Sequence, residues 1–166
     1  MPVDSYKYLD FLTRQMVVSW IKMATPTPIP WTPLTKPLPE CAVALISSGG
    51  IALKTDIPFD QEGERQNPWW GDPSFRVIPR SATEQDVEIY HQHISPAFAR
   101  QDLNCLLPIQ RLNELEAVEE IGRSASRHYS YMGYILQPEI LLEQTVPQII
   151  QSLRDERVDI AVLVPA

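Results

Sequence analysis

Apolar side chains recur at steps of three and four near the start of the chain. Leu9, Leu12, Met16, Trp20 and Met23 share one face of an amphipathic helix over 5–23. It stops at Pro26, Pro28, Pro30, Pro33, Pro37 and Pro39, whose spacing forces extended or polyproline II backbone over 24–40. That run reads either as a strap laid over a surface, with Trp31 as anchor, or as a linker. The core follows over 41–166. Cys41 to Ile46 is a short continuous apolar run ending in Ser47-Ser48-Gly49-Gly50, the pattern of a buried strand and a tight turn. Between 51 and 79 periodicity is weak and turn formers, acidic groups and Trp69-Trp70 accumulate, so this long loop is the first place to look for a site. Over 87–94 alternation places Val87, Ile89, His91 and His93 on one face of a second strand. Pro108 opens a helix with Leu112, Leu115 and Val118, and Gly122 follows its end. A helix over 138–156 carries Leu142, Val146, Ile149, Ile150 and Leu153 on one stripe, with a kink or restart expected at Pro147. The last strand is 158–164. This order predicts an α/β, Rossmann-like layered fold with a parallel sheet, a single domain over 1–166 with long Pro-rich loops.

Composition narrows the function classes. Sixteen prolines in 166 residues, about twice the usual frequency, imply stiff irregular segments. Acidic residues outnumber basic ones 21 to 14, and a formal charge of −7 argues against nucleic acid as a partner. Asp4, Lys7, Asp10 and Arg14 precede the short apolar run over 16–18, which is therefore neither a signal peptide nor a membrane span. Two cysteines without a secretion signal point to free thiols in a reducing cytoplasm.

Several residues have the chemistry of a site, and each has a structural alternative. His91 and His93 suit a metal shell completed by Asp102 or His128, a hydrogen-bonded histidine pair, or the polar wall of a substrate pocket. Asp102 and Asn104 lie just before the Pro108 helix, where they either hold a charged substrate group or act as turn formers and caps. Cys105 would need a neighbouring base to be a nucleophile, and a structural thiol is the simpler reading, as for Cys41. Ser48 and Gly49 follow a strand at its carboxyl end, where α/β sheets bind ligands, yet they lack the G-x-G-x-x-G spacing and also read as a plain turn. Gly71, Asp72 and Ser74 form a turn or an acidic contact. The run His128, Tyr129, Ser130, Tyr131, Met132, Gly133, Tyr134 is dense in hydrogen-bonding aromatics, suited to a pocket wall or to a core with satisfied hydroxyls.

Taken together, Trp69-Trp-Gly-Asp-Pro-Ser74 with Arg76, His91-x-His93, Asp102-x-Asn104 with Pro108, and His128-Tyr-Ser-x-Met-Gly133 resemble the glycine/sarcosine/betaine reductase selenoprotein B family, D-proline reductase-like members included. The resemblance runs from about Val3 to Ala166. It implies cytoplasmic reductive chemistry in which a selenol or thiol attacks a small amino-acid-type substrate and cleaves a C–N bond. In resembling proteins a U-x-x-C or C-x-x-C motif comes just after the strand matching 158–164, whereas this sequence stops at Ala166. The expectation is that the frame continues through a UGA selenocysteine codon and the nucleophile lies just beyond residue 166. The site is then expected to use His91, His93 and Asp102 as catalytic groups, with Ser48, Gly49, Gly71, Asp72, Ser74, Asn104, His128, Tyr129, Ser130 and Gly133 lining the substrate pocket. No cofactor or metal is assigned, and the partners are other reductase subunits or a thiol electron donor within a homo-oligomer. The alternatives are a non-catalytic binding or assembly subunit and a metal hydrolase using His91 and His93.

Overall fold

The computed structural model describes residues 7, 9–23, 28, 32–67, 70–91 and 93–166. Pro26, Pro30 and Trp31 of the expected strap and Trp69 of the expected loop lie outside them. The chain forms two compact units, Met1–Pro33 and Leu34–Ala166.

The first unit contains helix α1, Phe11–Met23. Asp10 sets its start, since Oδ1 accepts the Leu12 and Thr13 N–H groups at 3.0 Å each and Oδ2 accepts the Thr13 hydroxyl at 2.5 Å. The helix therefore begins later than the apolar spacing suggested. No residue of α1 is buried within this structure.

The second unit runs β1 (Ala42–Ser47), β2 (Ile51–Leu53), α2 (Gln61–Gln66), β3 (Phe75–Pro79), β4 (Val87–Ile89), α3 (Ile109–Ala117), β5 (Arg123–Ser124), β6 (Arg127–Tyr131), α4 (Val146–Asp155) and β7 (Ile160–Val164). It is a mixed α/β fold on a mostly parallel sheet. Strand β1 pairs parallel with β7 over Val43 to Ser47, and on its other edge with β5 and then β6. Strand β3 is the exception, antiparallel to β6. A separate two-stranded ribbon joins β2 to β4.

Apolar burial explains the layering. Val43 and Leu45 project from β1 into a core with Leu103, Leu107, Ile109 and Leu112, at and before α3. Each fully buried aliphatic side chain of this kind contributes about 1.5–3 kcal/mol. Alternate residues of β1 face the opposite way, so Ile46 looks with Ala161 toward Ile149 and Leu153 of α4.

Three segments differ from the expected pattern. The strand expected over 87–94 ends at Ile89, because the His91 imidazole Nδ1 accepts the His93 N–H at 3.2 Å and bends the chain. The stretch over 51–79 contains β2, α2 and β3, and 127–131 is a strand at the heart of the sheet rather than a connection between helices. These strands are short, and long-range pairing rather than local periodicity makes them strands. The expected break near Pro147 is present: a wide π turn over Leu141–Thr145 precedes α4, which takes Pro147 in its first turn, where a missing N–H costs nothing.

Candidate functional site at the carboxyl end of the sheet

The polar residues of interest converge where β1 and β6 end. Ser48 is buried, donates its N–H to the Val164 carbonyl at 3.1 Å, and its Oγ accepts the Ala166 N–H at 2.8 Å. Gly49 donates to the Ser47 Oγ at 3.0 Å and bridges to Met132. Gly50 then ties two sheets together: its N–H reaches the Tyr131 carbonyl at 2.9 Å and its own carbonyl accepts the Tyr90 N–H at 2.8 Å. Its φ of +61° is left-handed, and a Cβ there would lie 2.6 Å from the Met132 Sδ, so only glycine makes this junction without strain.

Gly133 is where Ser48 and His91 meet. A Cβ on Gly133 would stand 2.9 Å from the Ser48 carbonyl oxygen and 3.0 Å from the His91 Nε2. His91 is 8% exposed. Because its Nδ1 accepts the His93 N–H, the neutral ring carries its proton on Nε2, the nitrogen directed at Gly133 and Ser48. His93 is exposed; its ring lies 5.9 Å from that of His91 at 83°, and 4.4 Å from the Tyr134 ring. Gly71 completes the cluster from another loop, as a Cβ on it would come within 2.0 Å of the Tyr134 carbonyl oxygen. An adjoining cleft of about 360 Å³ is lined by Ile46, Ser48, Tyr131, Leu163, Val164 and Pro165. The structure thus gathers Ser48, Gly49, Gly71, His91, His93 and Gly133, adding Gly50, Tyr131 and Tyr134. Tyr134 belonged to an aromatic run visible in the sequence, while the role of Gly50 depends on two separate sheets touching.

The other candidates stand elsewhere. Asp72 is 8% exposed, with Oδ2 accepting the Asp60 N–H at 2.8 Å and Oδ1 accepting the Ser74 N–H at 2.8 Å and hydroxyl at 2.5 Å. Arg76 continues this clamp, donating to the Ser74 Oγ at 2.9 Å and to the carbonyls of Ile57 and Pro58 while lying 4.1 Å over the Phe59 ring. A cleft of about 680 Å³ opens beside these groups. Asp102 is exposed and caps the turn Leu103–Cys105, its Oδ1 accepting from the Asn104 N–H and Nδ2; these hydrogen bonds hold its pKa below the usual carboxylate range. The Asn104 Oδ1 in turn accepts the Gln110 and Arg111 N–H groups at the start of α3.

His128, Tyr129 and Ser130 are all fully buried in β6. Four residues over 125–128 stand opposite Ala44 and Leu45, since Val43 pairs with Ser124 and Ile46 with Tyr129. The His128 Nδ1 fills this bulge by accepting the Leu45 N–H at 3.1 Å, with Nε2 3.4 Å from the Ser124 Oγ. Burial lowers its pKa to about 4, an effect that the nearby Glu156 opposes and Arg80 reinforces. Burial likewise pushes the Tyr129 phenol up. The Ser130 Oγ accepts the Ile51 N–H at 2.8 Å and so joins ribbon to sheet. Cys41 is fully buried before the amino end of β1, and Cys105 is exposed on the turn before α3. Among the described residues no three His, Cys, Asp or Glu side chains gather closely enough to hold a metal ion, and no helix is long and apolar enough to cross a membrane.

The fold defines an α/β protein in which Ser48, His91, His93 and the glycines at 49, 50, 71 and 133 lie toward the carboxyl end of a mostly parallel sheet, the end at which open α/β sheets carry ligands. The family model for glycine/sarcosine/betaine reductase selenoprotein B matches residues 9–166, and the chain belongs to that family. It is 33% identical over 139 residues to the D-proline reductase subunit gamma of Acetoanaerobium sticklandii, covering 84% of this chain and 54% of that protein. It is 30% identical over 105 residues to the glycine reductase complex component B subunit gamma of Carboxydothermus hydrogenoformans, covering 63% of this chain and 23% of that protein. The chain therefore spans about half the length of the first relative and about a quarter of the second. No solved structure matches it.

Proposed function

We propose that this chain forms the substrate-binding wall of an amino-acid reductase that cleaves a C–N bond. One observation carries the reading: in a chain of this family, Ser48, His91 and Gly133 converge where an α/β sheet presents its ligands. The substrate class is a small amino acid or N-substituted amino acid, of the kind that the relatives' names contain. Reductive cleavage needs a chalcogenide to attack the carbon bearing nitrogen, a proton for the departing amine, and two electrons from a thiol donor. In this reading exposed His93 gives the departing amine its proton and takes another from solvent, while the His91 Nε2–H donates a hydrogen bond to the substrate. Cys41 is sealed behind the opposite end of β1 and Cys105 lies on the turn before α3; following the family resemblance, the reading takes the selenol or thiol nucleophile from residues outside these 166. The thiol chemistry suits a reducing, cytoplasmic setting and other reductase subunits as partners.

Isothermal titration with D-proline, glycine, sarcosine and betaine tests the reading. One of them is expected to bind, with His91→Ala weakening it about tenfold or more, the scale of one lost charge-assisted hydrogen bond. Binding left unchanged when both His91 and His93 are alanine, or no binding by any of the four, overturns it.

A further inference from the structure

Strand β7 is composed like an interior strand and placed at an edge. Ile160, Ala161, Val162, Leu163 and Val164 include no polar residue, the pattern of a parallel strand covered on both faces. One edge pairs with β1 along its whole length. Among the described residues no strand pairs with the other edge. Val162 is 40% and Leu163 70% exposed. Edge strands that stay unpartnered are protected by lysine, proline or a bulge, and 160–164 has neither residue and pairs in unbroken register. The apolar surface continues past the strand into a cleft of about 330 Å³, whose walls include Ile46, Tyr131, Leu141, Ile150 and Leu163.

The family relation indicates the occupant. The matched stretch is 54% of the D-proline reductase subunit gamma, so that polypeptide holds nearly as much chain again outside the match. We propose that the free edge and outer face of β7 dock this other part of the family polypeptide, which adds a parallel strand to β7 and lays an amphipathic helix over Leu163, on the face that Ala161 shares. A parallel strand cannot be reached by a hairpin; it needs a crossover, and the crossover helix supplies the missing cover. Ile46, Tyr131 and Leu163 line both this cleft and the one beside Ser48, so the docked part stands at the rim of the candidate site. The inference rests on the family relation and on burial, not on the chemistry assigned to the histidines.

The test joins the part of the A. sticklandii subunit outside the matched stretch to the carboxyl end of this chain and follows amide hydrogen exchange. Amides of 160–164 are expected to slow about tenfold or more in the fusion relative to the chain alone. Leu163→Asp, at a side chain already 70% exposed, is expected to abolish that slowing while the circular dichroism of the chain alone stays unchanged. Equal exchange in fusion and isolated chain overturns the proposal. So does an isolated chain that sediments as a dimer with 160–164 already protected, which would make a second copy the occupant. Calorimetry on His91→Ala reads the site separately, so the two proposals fail independently.

Discussion

His128 closes a gap in the sheet, and that task decides its chemistry. Its neutral ring is required because Nδ1 must accept the Leu45 N–H. Its folded pKa of about 4 lies below the unfolded value of 6.5, so the unfolded chain binds the proton first. The stabilisation is complete above pH 6.5 and is lost as pH falls from there to about 4, a loss of about 3 kcal/mol. Urea denaturation at pH 7 and pH 5 is expected to show about 2 kcal/mol of it, and His128→Leu to flatten the dependence while costing about 1–3 kcal/mol at pH 7 by orphaning the Leu45 N–H. Gly133→Ala is the corresponding test at the site. Its methyl would strike the Ser48 carbonyl and the His91 Nε2, so a loss of about 1–3 kcal/mol in thermal denaturation and a displaced His91 are expected. In the sequence the three histidines are alike. What separates a sealed His128, a buried His91 and an exposed His93 is the position of each backbone in the tertiary fold, which spacing does not encode.

At the level of elements, side chains that look catalytic also hold ends and bulges in place. Asp102 and Asn104 act in series, the first fixing a turn and the second capping α3. Asp102→Asn keeps the acceptor oxygen and removes the charge, so the turn is expected to persist with a small loss of stability at neutral pH, and a fall in turnover of an assembled reductase well beyond that loss would assign the carboxylate to catalysis. Asn104→Ala should cost about 1 kcal/mol in denaturant titrations through the lost cap. Glu156 fastens α4 to the β5–β6 bulge through the Ser126 N–H and hydroxyl and the Arg127 side chain. Burial works to raise its pKa, but the Ser126 and Arg127 hydrogen bonds outweigh it and hold the carboxyl below its ordinary range. Glu156→Ala is expected to cost about 1–3 kcal/mol at neutral pH. Helices α1, α3 and α4 and the apolar strands β1 and β7 were legible because each satisfies a local period, whereas α2 lies in the stretch expected to be a loop because its six residues carry no apolar period. Strands β2, β3 and β6 were not legible, because their partners lie far along the chain and their side chains fit a pleated surface only once those partners arrive.

For the whole molecule, every buried core residue among those described belongs to Leu34–Ala166, so that unit is expected to fold without the first 33 residues, with a melting temperature within a few degrees of the full chain. A cooperative transition lost on that deletion would show the first unit to be needed. By itself the sequence determined the α/β class, the strands at either end of the core though not the exposure of the second, the helix break at Pro147 and the family resemblance, because local periodicity, proline geometry and residue identity carry these without reference to distant neighbours. The tertiary structure alone decided which candidates meet. Ser48, His91 and Gly133 are brought together from three separate segments, with the Ser48 carbonyl and the His91 ring so close to Gly133 that a hydrogen side chain fits there and a methyl does not. It alone also left Val162 and Leu163 uncovered, since burial is a property of neighbours in space and not of the residue that seeks them.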